Sequence, residues 1–412
     1  MAVKMKFTIL FLTLALVSSL VLLILSWFEL GYKFAGYCIV IWLFSAIYFI
    51  CLMLFRLLKL KQNIKVNLSV MLLFMTLSFI VAEFILRHTN VMLTALELKY
   101  SGRYISPFKS QFSGWYDVWT PKSTHYLRTP EYCYIRNTNS FGLSDKEHSF
   151  KKRAGEYRII GIGDSFTEGD GTHADSTWLK FLERNVQINY GISNYTYINA
   201  GICASDPFEE YKLLDDKLMV LNPDMVIVTM NSGDIQEILC RGGMERFRED
   251  GTLKFRTPPV WEGLYSHSYI FRLIVHKLLK LDYMFMKSAE AIQENKMAMT
   301  LMIKCLIQFR DLAEKKNFKL LIVFHPFKGE LDQGKYNMLN HVIDSCEILS
   351  VNCLDMLNYY MGEEGFSHSN SQPLYWPKDG HHNSKGYAAF ARGVEWKLEN
   401  MGVLKWKIKK LN

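Results

Sequence analysis

Four short runs rich in glycine and polar residues contain the side-chain types that nucleophilic acyl chemistry needs. Ser165 supplies a hydroxyl, which is a poor nucleophile unless a base lies within hydrogen-bond reach. His381 and His382 are adjacent candidate bases, and Asp379 precedes both. The four runs are residues 161–169 (GIGDSFTEG), 199–201 (NAG), 231–234 (NSGD) and 379–386 (DGHHNSKG).

The histidine pair could instead belong to a metal site. No third or fourth ligand follows with the spacing of a zinc site, so we expect neither a metal nor a cofactor. The eight cysteines include no C-x-x-C pair, and the sequence alone leaves their pairing open.

The elements that must position these runs alternate between strands and helices from residue 157 onward. This alternation predicts a parallel sheet covered by helices on both faces, with the four runs at or beyond the carboxyl ends of its strands, where such sheets bind ligands. Residues 240–297 are too long for a plain crossover and are interpreted as an inserted loop or lid. The predicted strands are 157–162, 195–199, 225–230, 319–324 and a weak 351–354; the predicted helices are 176–186, 207–221, 298–317, 334–348 and 384–400.

The combination of separated motifs resembles the SGNH (GDSL-type) hydrolase family over residues 157–400. Gly163-Asp164-Ser165-Phe166 matches the family's first block, Gly201 the second, and Asp379-x-x-His382 the last. The resemblance implies a three-layer α/β/α domain in which Ser165 is the nucleophile, His382 the base and Asp379 the residue that orients it. It also implies that backbone N–H groups of Ser165 and Gly201 face the oxyanion. His381 remains the rival base.

The third block departs from the family pattern, which is Gly-x-Asn-Asp. Without a gap, Gly233 of Asn231-Ser-Gly-Asp234 stands where the family has an oxyanion asparagine. Two arrangements stay open, and a slight preference goes to the first. Either the Asn231 amide turns inward as a third oxyanion donor, or two backbone N–H groups act alone while Asn231 caps the loop backbone.

Three apolar runs near the start of the chain predict three transmembrane helices, over residues 7–28, 34–55 and 66–82. Lys4 and Lys6 precede the first run, and four basic residues lie between the second and third. The positive-inside rule then places the N-terminus in the cytoplasm and residues 89–412 outside. The predicted domains are a membrane region (1–88), an aromatic-rich connecting segment (89–156) and the hydrolase-like domain (157–412).

The net charge of +8 is modest, and no basic block of the kind that binds nucleic acid is present. The resemblance and the predicted topology together indicate a membrane-anchored, extracytoplasmic serine esterase or O-acyltransferase in the cell envelope, acting on an acylated surface polysaccharide or lipid. A transferase would need a membrane partner protein that delivers acyl groups. The alternative is a catalytically weak protein that binds or assembles a surface polymer, which the aromatic segment and the altered third block favour.

Overall fold

The computed structural model describes residues 61–89, 118–249, 268–282, 285–366 and 372–404, with single residues and short stretches between 46 and 57 and between 261 and 265. Two compact units share the chain. One comprises Met1–Tyr104 and Thr257–Ala291, and the other comprises Ile105–Arg256 and Ile292–Asn412. The segment interpreted as a lid is therefore largely grouped with the N-terminal part of the chain.

The helices and strands are numbered in chain order within the described residues. The helices are α1 Gln62–His88, α2 Ser165–Glu168, α3 Trp178–Tyr190, α4 Pro207–Asp216, α5 Ser232–Arg241, α6 Tyr269–Leu273, α7 Ser288–Lys316, α8 Lys328–Gln333, α9 Asn340–Ile348, α10 Met356–Gly362 and α11 Ser384–Asn400. The strands are β1 Thr124–Arg128, β2 Cys133–Asn137, β3 Tyr157–Gly163, β4 Tyr195–Gly201, β5 Met225–Met230, β6 Lys319–Phe324 and β7 Cys353–Asp355.

Five parallel strands form the sheet of the second unit in the order β4-β3-β5-β6-β7. Every residue of β5 is buried, as expected for a strand covered on both faces, which explains its unbroken apolar sequence. From β3 the chain first continues to β4, at one edge of the sheet, and then returns to the other side of β3 to form β5. Right-handed crossovers in opposite directions place the connecting helices on opposite faces. The predicted parallel α/β fold is confirmed.

Helix α5 was missed because the run 231–234 was interpreted as a loop. Asn231 caps this helix by accepting a hydrogen bond from the Gly233 N–H, and the Asp234 carboxylate accepts from the Asn231 N–H at 2.7 Å. This reciprocal arrangement is a capping box. The same four residues that resemble a catalytic block therefore also begin a helix.

A two-stranded antiparallel hairpin, β1 and β2, lies inside the segment that the sequence marked only as aromatic-rich. Its turn is closed by a hydrogen bond from the Thr129 N–H to the Tyr132 carbonyl, at 2.9 Å. The period-2 burial of β2, with Tyr134 and Arg136 inside, shows that part of this aromatic segment packs within the second unit. Residues 90–117 lie outside the described residues.

In the first unit, α1 is long and apolar enough to cross a membrane, by length and composition, and it is the only such helix within the described residues. It contains the third predicted span. The first predicted span and most of the second lie outside the described residues, so the structure supports one candidate span where the sequence predicted three.

Candidate active site

Ser165 lies two residues beyond the end of β3 and begins the short helix α2. Asp164 caps this turn, since its carboxylate accepts a hydrogen bond from the Phe166 N–H at 2.9 Å. Because β3 lies between β4 and β5, the ends of these three strands meet at one edge of the sheet. Ser165 thus stands where the strand order reverses, which is where open α/β sheets bind ligands.

The residue that contacts the serine is His381. Its Nε2 lies 2.8 Å from Ser165 Oγ, and its Nδ1 lies 2.6 Å from Asp379 Oδ1. A serine, an imidazole and a carboxylate in this order have the geometry of a hydrolytic triad. The run 379–386 therefore meets the run 161–169 as predicted, but through the other histidine.

His382 does not occupy the position that the sequence predicted for it. Its side chain is fully buried, and neither ring nitrogen has a hydrogen-bond partner among the described residues. It packs on the rings of Tyr375 and Phe166, with centroids at 4.6 and 5.2 Å. Burial lowers the pKa of His382 well below its ordinary value, so the ring is neutral and serves as core. Backbone pairing of Tyr375 with His382 turns its side chain inward.

The hairpin turn between β1 and β2 holds the carboxylate of Asp379. The Tyr132 hydroxyl donates to Asp379 Oδ2 at 2.8 Å, so each carboxylate oxygen has one side-chain partner. The Glu131 carboxylate accepts from the backbone N–H groups of Lys378 and Asp379, the latter at 2.7 Å. Burial alone would raise the pKa of Asp379, but the hydrogen bonds of His381 and Tyr132 lower it to about 2. Asp379 is therefore ionised at neutral pH.

Carboxylates other than Asp379 also raise the pKa of the His381 imidazole. Burial alone would lower the pKa of His381, but the hydrogen bond to Asp379 and the charges of Asp170, Asp379 and Asp164 raise it above its ordinary value. Asp170 is itself held by the Tyr134 hydroxyl at 3.0 Å and by the Arg136 guanidinium. These residues of β2 thus contribute to the electrostatics of the site, which the sequence analysis missed because the hairpin was not predicted.

Three side chains beside the site could offer ligand atoms to a metal ion. Glu168, Asp170 and Cys203 place one such atom each within 4.8 Å of one another. The Arg136 guanidinium already contacts two of them, lying 3.4 Å from Glu168 and against Asp170. The Arg136 guanidinium therefore already supplies a positive charge where a metal ion would have to lie.

Gly201 does not offer the free N–H that the sequence predicted. Its N–H donates to the Asn199 side-chain oxygen at 3.0 Å. A Cβ at this position would lie 2.1 Å from the Glu168 nitrogen, so only glycine lets β4 pass so close to α2. The glycine of the second block is required here by packing.

Three residues further on, Ala204 has the backbone properties that Gly201 lacks. Its φ is +62°, in the left-handed region that disfavours an L residue. Its N–H donates to no acceptor among the described residues. The loop is fixed on Gly163 by the Ile202 N–H, at 2.9 Å, and by the Ser205 hydroxyl, at 3.2 Å. Alanine is not a residue type typical of the left-handed conformation, so the sequence did not predict this conformation at Ala204.

Asn231 is engaged inside the protein at both ends of its side chain. Its amide nitrogen donates to Asp164 Oδ2 at 2.8 Å and lies 3.4 Å from His325 Nε2. Its oxygen accepts from the Gly233 N–H at 2.8 Å. The structure therefore contradicts the preferred arrangement, in which this amide turned toward the oxyanion, and shows the capping arrangement instead.

No family model matches this chain, and no curated protein matches it. Several solved structures are similar to part of it. A lipase/acylhydrolase from Enterococcus faecalis is 12% identical, with a TM-score of 0.37, over 61% of this chain and 98% of that chain. A protein of the lipolytic G-D-S-L family from Veillonella parvula is 12% identical, with a TM-score of 0.35, over 60% and 98%. The acetyl xylan esterase AlAXEase is 15% identical, with a TM-score of 0.36, over 58% and 98%. Similarities this distant do not establish what this chain does.

Proposed function

We propose that this protein is a serine-dependent ester hydrolase or O-acyltransferase in which Ser165, His381 and Asp379 form the triad. The observation that carries the proposal is the 2.8 Å contact between Ser165 Oγ and His381 Nε2, with Asp379 on the opposite ring nitrogen. The raised pKa of His381 suits a base that must accept a proton as a bond to carbon forms.

In the first half-reaction, Ser165 Oγ attacks the carbonyl carbon of an acyl ester, and its proton passes to His381 Nε2. The tetrahedral intermediate collapses, the bond from carbon to the leaving alkoxide breaks, and His381 returns the proton to that alkoxide. An acyl-enzyme on Ser165 remains. In the second half-reaction, water or an acceptor hydroxyl gives its proton to His381 and attacks the acyl carbon. The bond between that carbon and Ser165 Oγ then breaks, and His381 returns the proton to Oγ, which regenerates the serine. Asp379 keeps the imidazole oriented and stabilises its charged form in both halves.

The oxyanion would be stabilised by two backbone donors, the N–H groups of Ser165 and Ala204. Neither donates to an acceptor among the described residues. The Ala204 peptide is held on both sides, because the Cys203 N–H donates to Glu168 at 2.7 Å and the Ala204 carbonyl accepts from Arg241 at 2.8 Å. Donors fixed before the reaction need no reorganisation when charge develops on the oxygen.

The substrate that we propose is an acyl ester of a cell-surface polysaccharide or lipid. The apolar helix α1 supports a membrane anchor. The basic residues flanking the N-terminal apolar runs support an extracytoplasmic catalytic unit. Transfer of the acyl group, rather than hydrolysis, would require an acceptor hydroxyl and a membrane partner that supplies acyl groups.

A second candidate function is binding or assembly of a surface polymer with weak catalysis. The hydrogen bonds of Gly201 and Asn231 favour it, because two of the three predicted oxyanion donors have partners inside the protein. The intact contact between Ser165 and His381 favours the enzyme.

A fluorophosphonate probe separates the two candidates. The full chain in detergent or membranes should be labelled covalently, and Ser165→Ala should abolish labelling while Ser140→Ala, at an exposed serine, should not. Labelling that persists in Ser165→Ala would reject the nucleophile. Where labelling succeeds, chasing an acyl-enzyme with water or with an oligosaccharide then decides between hydrolysis and transfer.

A further inference from the structure

The first unit contains a charged contact between α1 and a distant segment of the chain. Glu83 of α1 is buried, and its carboxylate accepts from the N–H groups of Tyr269 and Ile270 at 2.7 and 3.0 Å and from the Ser268 hydroxyl at 3.1 Å. These donors lie at the start of α6. The Glu83 side chain of α1 therefore caps the N-terminus of α6. Arg87, one turn further along α1, also donates to Glu83 at 3.0 Å.

The position of Glu83 sets the depth of this contact in a bilayer. The uncharged run 66–82 precedes it and spans ~26 Å at 1.5 Å per residue, close to the thickness of the hydrocarbon core. Glu83 thus stands where a membrane helix reaches the interface. The segment that it caps is held at the same level, together with the Arg272 guanidinium over the Tyr269 ring at 4.2 Å.

The capped segment buries one face and exposes another. Its inner face packs in a small core of Tyr265 and Val275, joined by partly buried aromatic rings. Its outer face, which we call the interfacial strip, comprises Ile274 and the exposed run 277–280. Leu278 is 74% exposed, Leu279 49% and Ile274 37%. The exposed Lys277 and Lys280 belong to the same strip.

We propose that the interfacial strip is a second membrane contact, which lies in the headgroup region of the bilayer beside α1. Adjacent exposed leucines flanked by lysines have the composition of an interfacial segment, with apolar side chains toward the acyl chains and ammonium groups toward lipid phosphate. The occupant is a phospholipid surface because Glu83 fixes the strip to the end of an apolar, bilayer-length helix. The inference rests on the proposed anchoring by α1 and is independent of the ester chemistry.

Photolabelling from within the bilayer tests the strip directly. The full chain is reconstituted into vesicles of phosphatidylcholine and phosphatidylglycerol that contain a phospholipid with a diazirine in its acyl chain, and adducts are mapped by mass spectrometry. Adducts should form on α1 and on the interfacial strip, at Ile274 and residues 277–280. Ile188 and Ile348, which are 78% and 84% exposed in the catalytic unit, serve as controls and should carry none.

Adducts on α1 without adducts on the strip would overturn the proposal while leaving the anchor intact. Adducts on neither would reject both, and neither result bears on the serine chemistry. The double variant Leu278→Asp/Leu279→Asp should lose strip adducts and keep those on α1.

A second experiment, amide hydrogen exchange combined with photolabelling, tests the Glu83 contact. In Glu83→Ala, strip adducts should fall, and the amides of Tyr269 and Ile270 should exchange with deuterium about 10- to 100-fold faster, since they lose a charged acceptor. Thr76→Ala is the matched control in the same helix, because among the described residues the Thr76 hydroxyl donates only to the Leu72 carbonyl of its own turn. Unchanged amide exchange in Glu83→Ala would contradict the docking role of Glu83.

Discussion

Tyr132 donates a hydrogen bond to Asp379 from 247 residues away in the sequence, and this 2.8 Å contact joins the β1–β2 turn to the triad. The tyrosine ring also lies 5.5 Å from the Trp376 ring, at the start of the loop that carries Asp379. Tyr132 therefore acts as a positioning residue: it orients the carboxylate that in turn orients His381.

Tyr132→Phe should lower kcat by about 10-fold or more with little change in KM, because a hydrogen bond to a charged group is typically worth about 1.5–3 kcal/mol and a residue that acts only by positioning Asp379 leaves substrate binding unchanged. The measurement is steady-state hydrolysis of a p-nitrophenyl ester. Tyr126→Phe is the control, since Tyr126 lies on the same hairpin and is 79% exposed. A change in KM alone would indicate that Tyr132 contacts substrate and does not position Asp379.

Substitution of the two adjacent histidines should separate their roles. His381→Ala should reduce kcat by about 10⁴-fold or more, because the proton acceptor is lost. His382→Phe should retain most of the activity, since the His382 side chain makes packing contacts with rings such as Tyr375 and no hydrogen bond among the described residues. Parallel kinetics and fluorophosphonate labelling of both variants decide between them. Retained activity in His381→Ala would restore His382 as the candidate base.

The pH dependence of kcat/KM should change when the charge of Asp170 is removed. Burial lowers the pKa of His381, but the Asp379 hydrogen bond and nearby carboxylates, Asp170 among them, raise it overall. Because the base must be neutral, kcat/KM falls as pH drops through this pKa. Asp170→Asn removes a negative charge, so the pKa of His381 falls and the acid limb should move to lower pH. Asp175→Asn, at an exposed position, should leave the limb unchanged. A limb that moves upward would contradict this electrostatic role.

The sheet could be predicted from the sequence because its buried strands are unbroken apolar runs, such as β5. The pairing of Ser165 with the run 379–386 was predictable from residue types and chain order. The choice of histidine was not, because it depends on which way the chain turns at Tyr375 and His382. The support from Tyr132 was also hidden, since a contact across 247 residues leaves no local pattern.

Variants at the third block should affect stability more than chemistry. Asn231→Ala removes a helix cap, worth about 1 kcal/mol in the free energy of unfolding, and the hydrogen bond to the Asp164 carboxylate, worth about 1.5–3 kcal/mol, with a smaller effect on kcat than on stability. Gly233→Asn should not raise activity, because a Cβ there would lie 2.8 Å from Asn231 Oδ1 and 3.0 Å from the Phe327 ring. Thermal unfolding and ester hydrolysis measure both effects. A fall in kcat of about 100-fold for Asn231→Ala, without loss of stability, would show that its amide reaches the oxyanion after all.

The last prediction concerns the Ala204 N–H, which a side-chain substitution cannot remove. Incorporation of lactic acid at position 204 replaces the amide N–H by an ester oxygen and leaves the methyl group in place. If this N–H faces the oxyanion, kcat should fall by about 100- to 1000-fold with little change in KM, because the donor acts mainly on the transition state. Lactic acid at Ala174 is the matched control, since that exposed alanine N–H also has no acceptor among the described residues. Equal kcat values for the two ester variants would remove Ala204 from the oxyanion hole and leave the Ser165 N–H as the remaining assigned donor, a site that suits the polymer-binding alternative better than an efficient esterase.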